Sequence, residues 1–211
     1  MYHSKNKKEI DKLRFYDIII KNKSGEKDMV IRKYKKEDFE ATKHVCINDM
    51  IGKHCEDLIE YVEVMFNRYY LEKEPDCCFV AVDENDRVIG YCYGAKDYDK
   101  YQENFSEYIR KVAELSDRKF LGEALTEMFD HAIYKDEYPA HLHIDILPDY
   151  QSKGIGSKLI EAFCDYIKSL GIDGVMLIVG EENTGARRFY ERNGFELLQV
   201  VPTGAAYGKK L

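Results

Sequence analysis

The chain has 211 residues, 45% of them apolar and 13% aromatic, enough for one core of ordinary domain size and too apolar for a disordered segment. Its net charge of −7 at pH 7 argues against a nucleic-acid binder. No stretch approaches the roughly 20 apolar residues of a membrane span.

Residues 1–27 read as a basic, solvated arm with one short strand near Arg14 to Ile20. Phe15 to Ile20 is too short an apolar run for a signal peptide, and Asp17 interrupts it. Cys46, Cys55, Cys77, Cys78, Cys92 and Cys164 show no CxxC or zinc-like spacing and lie mostly in apolar runs. That is the pattern of buried, reduced thiols, so we expect a cytoplasmic protein. Asp28 to Tyr34 alternates as a strand does. Asp38 starts a helix running towards Asp49, and Asp57 to Leu71 forms a second, rich in aromatic residues.

Cys77 to Val82 and Arg87 to Ala95 flank the polar turn Asp83-Glu84-Asn85-Asp86 and form a hairpin. Gly90 and Gly94 in its second arm suggest a bulge or close backbone neighbours. From about 97 to 138 the spacing turns helical: Tyr98, Tyr101, Phe105, Tyr108 and Val112, then Leu121, Leu125, Met128 and Ala132. Two helices folded over the sheet fit this insert. Ala140 to Leu147 is then a strand, Gly154 to Leu170 a helix, Gly174 to Val179 a strand and Glu182 to Asn193 a helix ended by Gly194. Glu196 to Val201 and Ala205 to Lys209 close the chain as strands.

Between strand and helix lies Gln151-Ser152-Lys153-Gly154-Ile155-Gly156. A glycine-punctuated turn at a helix start points unpaired N–H groups at one spot, a ready phosphate site that a Cβ would obstruct. Pro148 to Gly156 resembles the pyrophosphate loop of GNAT-type acetyltransferases, Gln/Arg-x-x-Gly-x-Gly/Ala, through Gln151, Gly154 and Gly156. Asn183 to Phe195 resembles the second signature of that superfamily, Asn-x-x-Ala-x-x-Phe-Tyr-x-x-x-Gly-Phe. Two motifs in register imply the GNAT acyl-CoA N-acyltransferase fold, an α/β (α+β) domain over 28–211. Its mixed central sheet has splayed parallel strands, with the helical insert at about 97–138. Tyr138 to Asp145 narrows the likeness to bacterial GNAT proteins related to the acetyltransferase-like domain of O-GlcNAc hydrolases, without implying glycosidase activity.

The resemblance implies acetyl-CoA as co-substrate and no metal. Ile144 and Ile146 would pair their backbones with the pantetheine arm. The amides from Gln151 through Ser152, Lys153, Gly154, Ile155 and Gly156 to Ser157 would cap the pyrophosphate, and Asn183 would hydrogen-bond the pantetheine. Tyr190 would lie near the thioester sulfur and protonate the leaving thiolate.

An amine that attacks a thioester must first lose a proton, since an alkyl ammonium has a pKa near ~10. The oxyanion needs a backbone donor, which the Ile146 region offers. His141, His143 and Asp145 share one face of their strand by alternation. Unpaired burial would cost roughly a few kcal/mol each, so a wet cleft suits them. Asp145 is the first candidate for base or ammonium anchor and His143 the second. Tyr91, Tyr93 and Asp97 are candidates for the acceptor side.

These residues fit an acetyl-CoA-dependent N-acetyltransferase acting on a small-molecule or peptide amine in a ternary complex, with a homodimer as one possible assembly. A degenerate binding module recognising a peptide or acyl ligand is the alternative. A longer acyl group or a hydroxyl acceptor also stays open. A dinucleotide-binding loop is disfavoured, because Leu159 stands where its third glycine belongs.

Overall fold

A computed structural model of the chain describes residues 18–20, 29–48 and 56–211. Among the described residues, one mixed sheet contains β1 (Ile18–Ile20), β2 (Met29–Lys33), β3 (Phe79–Val82), β4 (Val88–Ala95), β5 (Ala140–Ile146), β6 (Gly174–Val179), β7 (Glu196–Val201) and β8 (Gly204–Lys210). Their spatial order is β1-β2-β3-β4-β5-β6-β8-β7. All neighbours pair antiparallel except β5 and β6. That parallel pair registers only Ala140 with Val175 and His141 with Met176. Beyond His141 the two strands part.

A short 3-10 turn, Lys36–Asp38, leads into α1 (Phe39–Cys46). The next helix, α2 (Glu56–Glu63), passes through a π-helical turn at Val64–Arg68 into α3 (Tyr69–Lys73). The insert forms α4 (Tyr98–Ala113) and α5 (Lys119–Ala132), followed later by α6 (Ile155–Ser169) and α7 (Thr184–Arg192). No described helix is long and apolar enough to cross a membrane.

The sheet separates two cores. On one face, Leu159, Phe163 and Ile167 of α6 pack against Ile31, Phe79 and Ile89. Their four-residue spacing is the reason this segment is helical and lies where it does. The other face holds an aromatic core from α1 to α5, with Tyr69, Tyr70, Tyr91, Tyr93, Phe105 and Tyr108. The Tyr91 and Tyr93 rings stack at 3.9 Å. Cys46, Cys77, Cys78, Cys92 and Cys164 are buried free thiols, as expected; Cys55 lies outside the described residues.

The expected elements appear with shifted ends. Of the arm, Ile18–Ile20 is described as a strand; residues 1–17 and 21–28 lie outside the described residues. The helix begun at Asp38 is described as α-helix to Cys46, and 49–55, where we expected its end, are outside the described residues. In the hairpin, β4 carries one extra residue at Ile89, beside Gly90, where the register steps from Val82–Val88 to Ala81–Gly90.

The expected single helix from Asp57 to Leu71 is broken by the π-helical turn. Val64, Met65, Asn67, Tyr69 and Tyr70 are all buried there, more than one 3.6-residue stripe can hide. A widened turn changes the face on offer, and such turns recur at functional sites.

Glu63 holds this irregular helix to α1. Its carboxylate is buried, 2.7 Å from Lys43 Nζ and 2.7 Å from Arg68 Nη2. Burial alone would raise its pKa, but the hydrogen bonds from Lys43 and Arg68 hold it below the usual carboxylate value. Its stabilisation is therefore present at neutral pH and lost as acid protonates the folded form. Glu63→Gln is expected to lower stability by about 1.5–3 kcal/mol in urea unfolding at pH 7, with a smaller loss in acid.

Candidate active site

The parted ends of β5 and β6 are the starting point. Leu147 N–H bonds the Ile89 carbonyl at 2.9 Å, so ladder alternation turns the N–H and C=O of Ile144 and Ile146 away from β4, towards β6. The β6 register ends at His141, which leaves these groups facing the cleft. Gln151 Nε2 donates to the Ile146 carbonyl at 3.0 Å, tying the glycine loop to the strand end.

Ser152 and Gly154 take left-handed dihedrals, φ 61 and φ 80. Such steps turn successive N–H groups to a common, anion-accepting side. No side chain caps α6, so the first-turn amides of Ile155, Gly156 and Ser157 have no intrahelical partner. Lys153 is exposed, its Nζ 5.2 Å from the Tyr150 ring centroid. The glycines differ in purpose. Gly154 supplies the left-handed turn, with open space where a Cβ would stand, whereas a Cβ on Gly156 would lie 2.8 Å from Phe189 Cζ. The clash we expected with a bound diphosphate is, at Gly156, a helix-packing clash.

Asn183 is the N-cap of α7, its Oδ1 accepting from Ala186 N–H at 3.0 Å. Its Nδ2 can then donate to a ligand. Tyr190 is nearly buried on the α6 side of the sheet. Burial and the nearby Asp145 charge push its phenol pKa up, so it keeps its proton at neutral pH.

On the opposite face, Asp145 Oδ2 accepts from Tyr91 Oη at 2.7 Å and lies 3.3 Å from His143 Nε2. Burial opposes charge on His143, but hydrogen bonds with Asp145 and Cys46 outweigh it and push its pKa up to about 10. His143 is thus a cation beside a carboxylate. His141 is set more deeply, 3% exposed and paired through Nε2 with Tyr70 Oη at 3.1 Å, and lines the same cavity as His143. Tyr93 is fully buried packing, and Asp97 caps α4 by accepting from Lys100 N–H. Neither lines the acceptor side.

A cavity of about 200 Å³ lies on this face between the diverging strands. Its walls include His143 of β5, Ile178 of β6, the aromatic rings of Phe66, Tyr70 and Tyr101, and Glu127 of the insert. Desolvation pushes the Glu127 pKa up to about 7; His143 opposes the rise, while Asp130 and Glu123 add to it. His131, one turn on, is kept neutral by burial and donates from Nδ1 to the Glu127 carbonyl at 2.9 Å. Glu127 and His131 escaped sequence reasoning because the insert read as packing. The buried face of α5 runs through Phe120, Ala124 and His131 rather than through Leu125, which is exposed, and the available signal was the two polar side chains four apart beside Phe120 and Ala124.

An N–H-lined loop at a helix start, a wedge between parting strands and a polar cavity behind it define an acyl-CoA-type transferase architecture. The chain belongs to the acetyltransferase (GNAT) family, whose model matches residues 47–195. It is 26% identical over 152 residues, 72% of this chain and 79% of the relative, to N-alpha-acetyltransferase 30 of Schizosaccharomyces pombe. It is also 46% identical over 63 residues to an uncharacterized N-acetyltransferase, MJ1207, of Methanocaldococcus jannaschii. That match spans only 29% of this chain and 28% of the relative. Among solved structures, SsHAT superposes with a TM-score of 0.77 at 27% identity, covering 86% of this chain and 98% of that one.

A carboxyl group with a raised pKa favours the folded state most when protonated, so its contribution is lost as pH rises from about 4.5 through 7. Glu127→Gln is therefore expected to be more stable than the natural chain at pH 8, by up to about 3 kcal/mol. The advantage should vanish below pH 4.5, the ordinary carboxyl value. Thermal melts across this range would read both ends.

Proposed function

We propose that the protein transfers an acetyl group from acetyl-CoA to a primary amine by direct attack within a ternary complex. The observation that carries this reading is the cavity bounded by both diverging strands, with Glu127 and His143 in its wall. In this reading the pyrophosphate sits on the amides from Gln151 to Ser157, and Lys153 lies near it in solvent. The pantetheine adds to β5 through Ile144 and Ile146 as a strand would, and Asn183 Nδ2 donates to it.

The amine enters the cavity as an ammonium, favoured by Glu127 and the aromatic walls. About 200 Å³ is below the usual ~300–1,000 Å³ of small-molecule sites, which suits a short amine or the end of a peptide or side chain. Asp145 Oδ2 already meets Tyr91 and His143, so its Oδ1 is left to anchor the ammonium. Glu127, poised near neutrality, takes the proton. The freed nitrogen attacks the thioester carbonyl, the oxyanion meets the Ile146 N–H, the C–S bond breaks as Tyr190 protonates the leaving sulfur, and the nitrogen's second proton passes to solvent, which returns one to Tyr190.

The buried free thiols support a cytoplasmic setting. The narrower kinship with relatives of O-GlcNAc hydrolases rests on Tyr138 to Asp145 and belongs to the same proposal.

Titration calorimetry with acetyl-CoA and a thiol-release assay across an amine panel test the reading. We expect binding, turnover on at least one amine, and a rate that rises with pH through about 7. Glu127→Gln should remove that rise. Glu127→Gln and Tyr190→Phe should each cut turnover at least ~10-fold while acetyl-CoA still binds. Binding without turnover on any amine would favour the binding module. Unchanged rates in both variants would overturn the assigned roles.

A further inference from the structure

Three side chains on the α1–α5 face of the sheet meet in a way that acyl transfer does not require. Cys46 ends α1, and His143 and Asp145 are alternate residues of β5. The sulfur, one ring nitrogen and one carboxylate oxygen all lie within 4.8 Å of one another, with His143 Nε2 and Asp145 Oδ2 3.3 Å apart. We propose that Cys46, His143 and Asp145 form a binding site for a divalent transition cation of the Zn²⁺ class.

Zinc bonds of roughly 2.0–2.3 Å in a tetrahedron place ligand atoms roughly 3.3–3.8 Å apart. The three atoms need only small side-chain movements to close on an ion. Thiolate and imidazole ligands select Zn²⁺ over Mg²⁺ or Ca²⁺, which prefer all-oxygen sets.

Outer partners are already in place. Tyr91 donates to Asp145 Oδ2 at 2.7 Å, and the Phe66 ring stacks on the His143 imidazole with centroids 4.9 Å apart. Such partners hold metal ligands in orientation. The Cys46 side of the cluster is buried, whereas the His143 and Asp145 side chains are 29% and 44% exposed. A fourth coordination position would therefore lie on the exposed His143–Asp145 side, open to water.

On binding, the Cys46 thiol and the His143 imidazolium release their protons to solvent and ligate as thiolate and neutral imidazole. The ion then occupies the His143 ring that lines the cavity and the Asp145 carboxylate proposed above to anchor the ammonium, so Zn²⁺ and the amine exclude each other. That inhibitory consequence rests on the function proposed above; the metal site itself does not.

The test uses the full chain, stripped with a chelator and titrated with Co²⁺ as a spectroscopic stand-in for Zn²⁺. One Co²⁺ per chain is expected, with a thiolate-to-cobalt charge-transfer band and tetrahedral d–d absorbance, both bleached by Zn²⁺. Cys46→Ser should abolish the charge-transfer band. His143→Gln, which keeps the thiol, should weaken Co²⁺ binding at least tenfold. No cobalt spectrum from the natural chain, or a charge-transfer band that survives in Cys46→Ser, overturns the site. Should Cys46→Ser fail to fold, an unchanged cobalt affinity in His143→Gln overturns it alone. A positive cobalt spectrum with no acetyl transfer to any amine would sink the proposed function and leave the metal site standing.

Discussion

The separation of β5 from β6 governs the rest of this molecule. A parallel pair in the middle of a sheet ordinarily exchanges hydrogen bonds along its length, yet here the register stops after two residue pairs. Backbone groups stripped of their ladder partners are costly unless water or a ligand meets them. The gap is consequently polar at its edges, at Ile144 and Ile146, inside an otherwise apolar sheet. The glycine loop at the start of α6 is tied to the β5 end through Gln151, and the tyrosine-lined cavity borders β5 and β6 on the other face. Tyr190 senses the Asp145 charge from across the sheet.

The cavity side sorts two carboxyl groups by their surroundings. Asp145 Oδ2 accepts from the Tyr91 phenol and lies 3.3 Å from the His143 ring nitrogen. Glu127 is desolvated and poised near neutrality, where a group can both take and return a proton. The irregular helix matters to this division. Its π-helical turn carries Phe66 onto the His143 ring, while α5 brings Glu127 and His131 to the cavity wall. The insert is thus part of the site as well as a cover for the sheet.

Much of the frame was legible in the chain. The spacing of Leu159, Phe163 and Ile167 told of a helix with one apolar side, and the turn Asp83 to Asp86 told of a hairpin. The two motifs single out Gln151, Gly154, Gly156, Asn183 and Tyr190 as candidate cofactor contacts. The π-helical turn was not legible, because a segment apolar on nearly every side has no period to betray an extra residue. Glu127 was hidden for a related reason: a polar residue on an apolar stripe looks the same whether its neighbours are solvent or a cavity.

The sequence by itself determined the order of elements, the glycine turn at the start of α6 and the alternation that set His141, His143 and Asp145 on one side of β5. Those features are local, resting on dihedral preferences and on periods of two and 3.6 residues. Only the tertiary structure decided that His141 pairs with Tyr70, that Asp145 and Cys46 push the His143 pKa up, and that Glu127 lines one cavity with both histidines. Burial and charge depend on residues far apart in the chain, and no local pattern encodes which of them will meet.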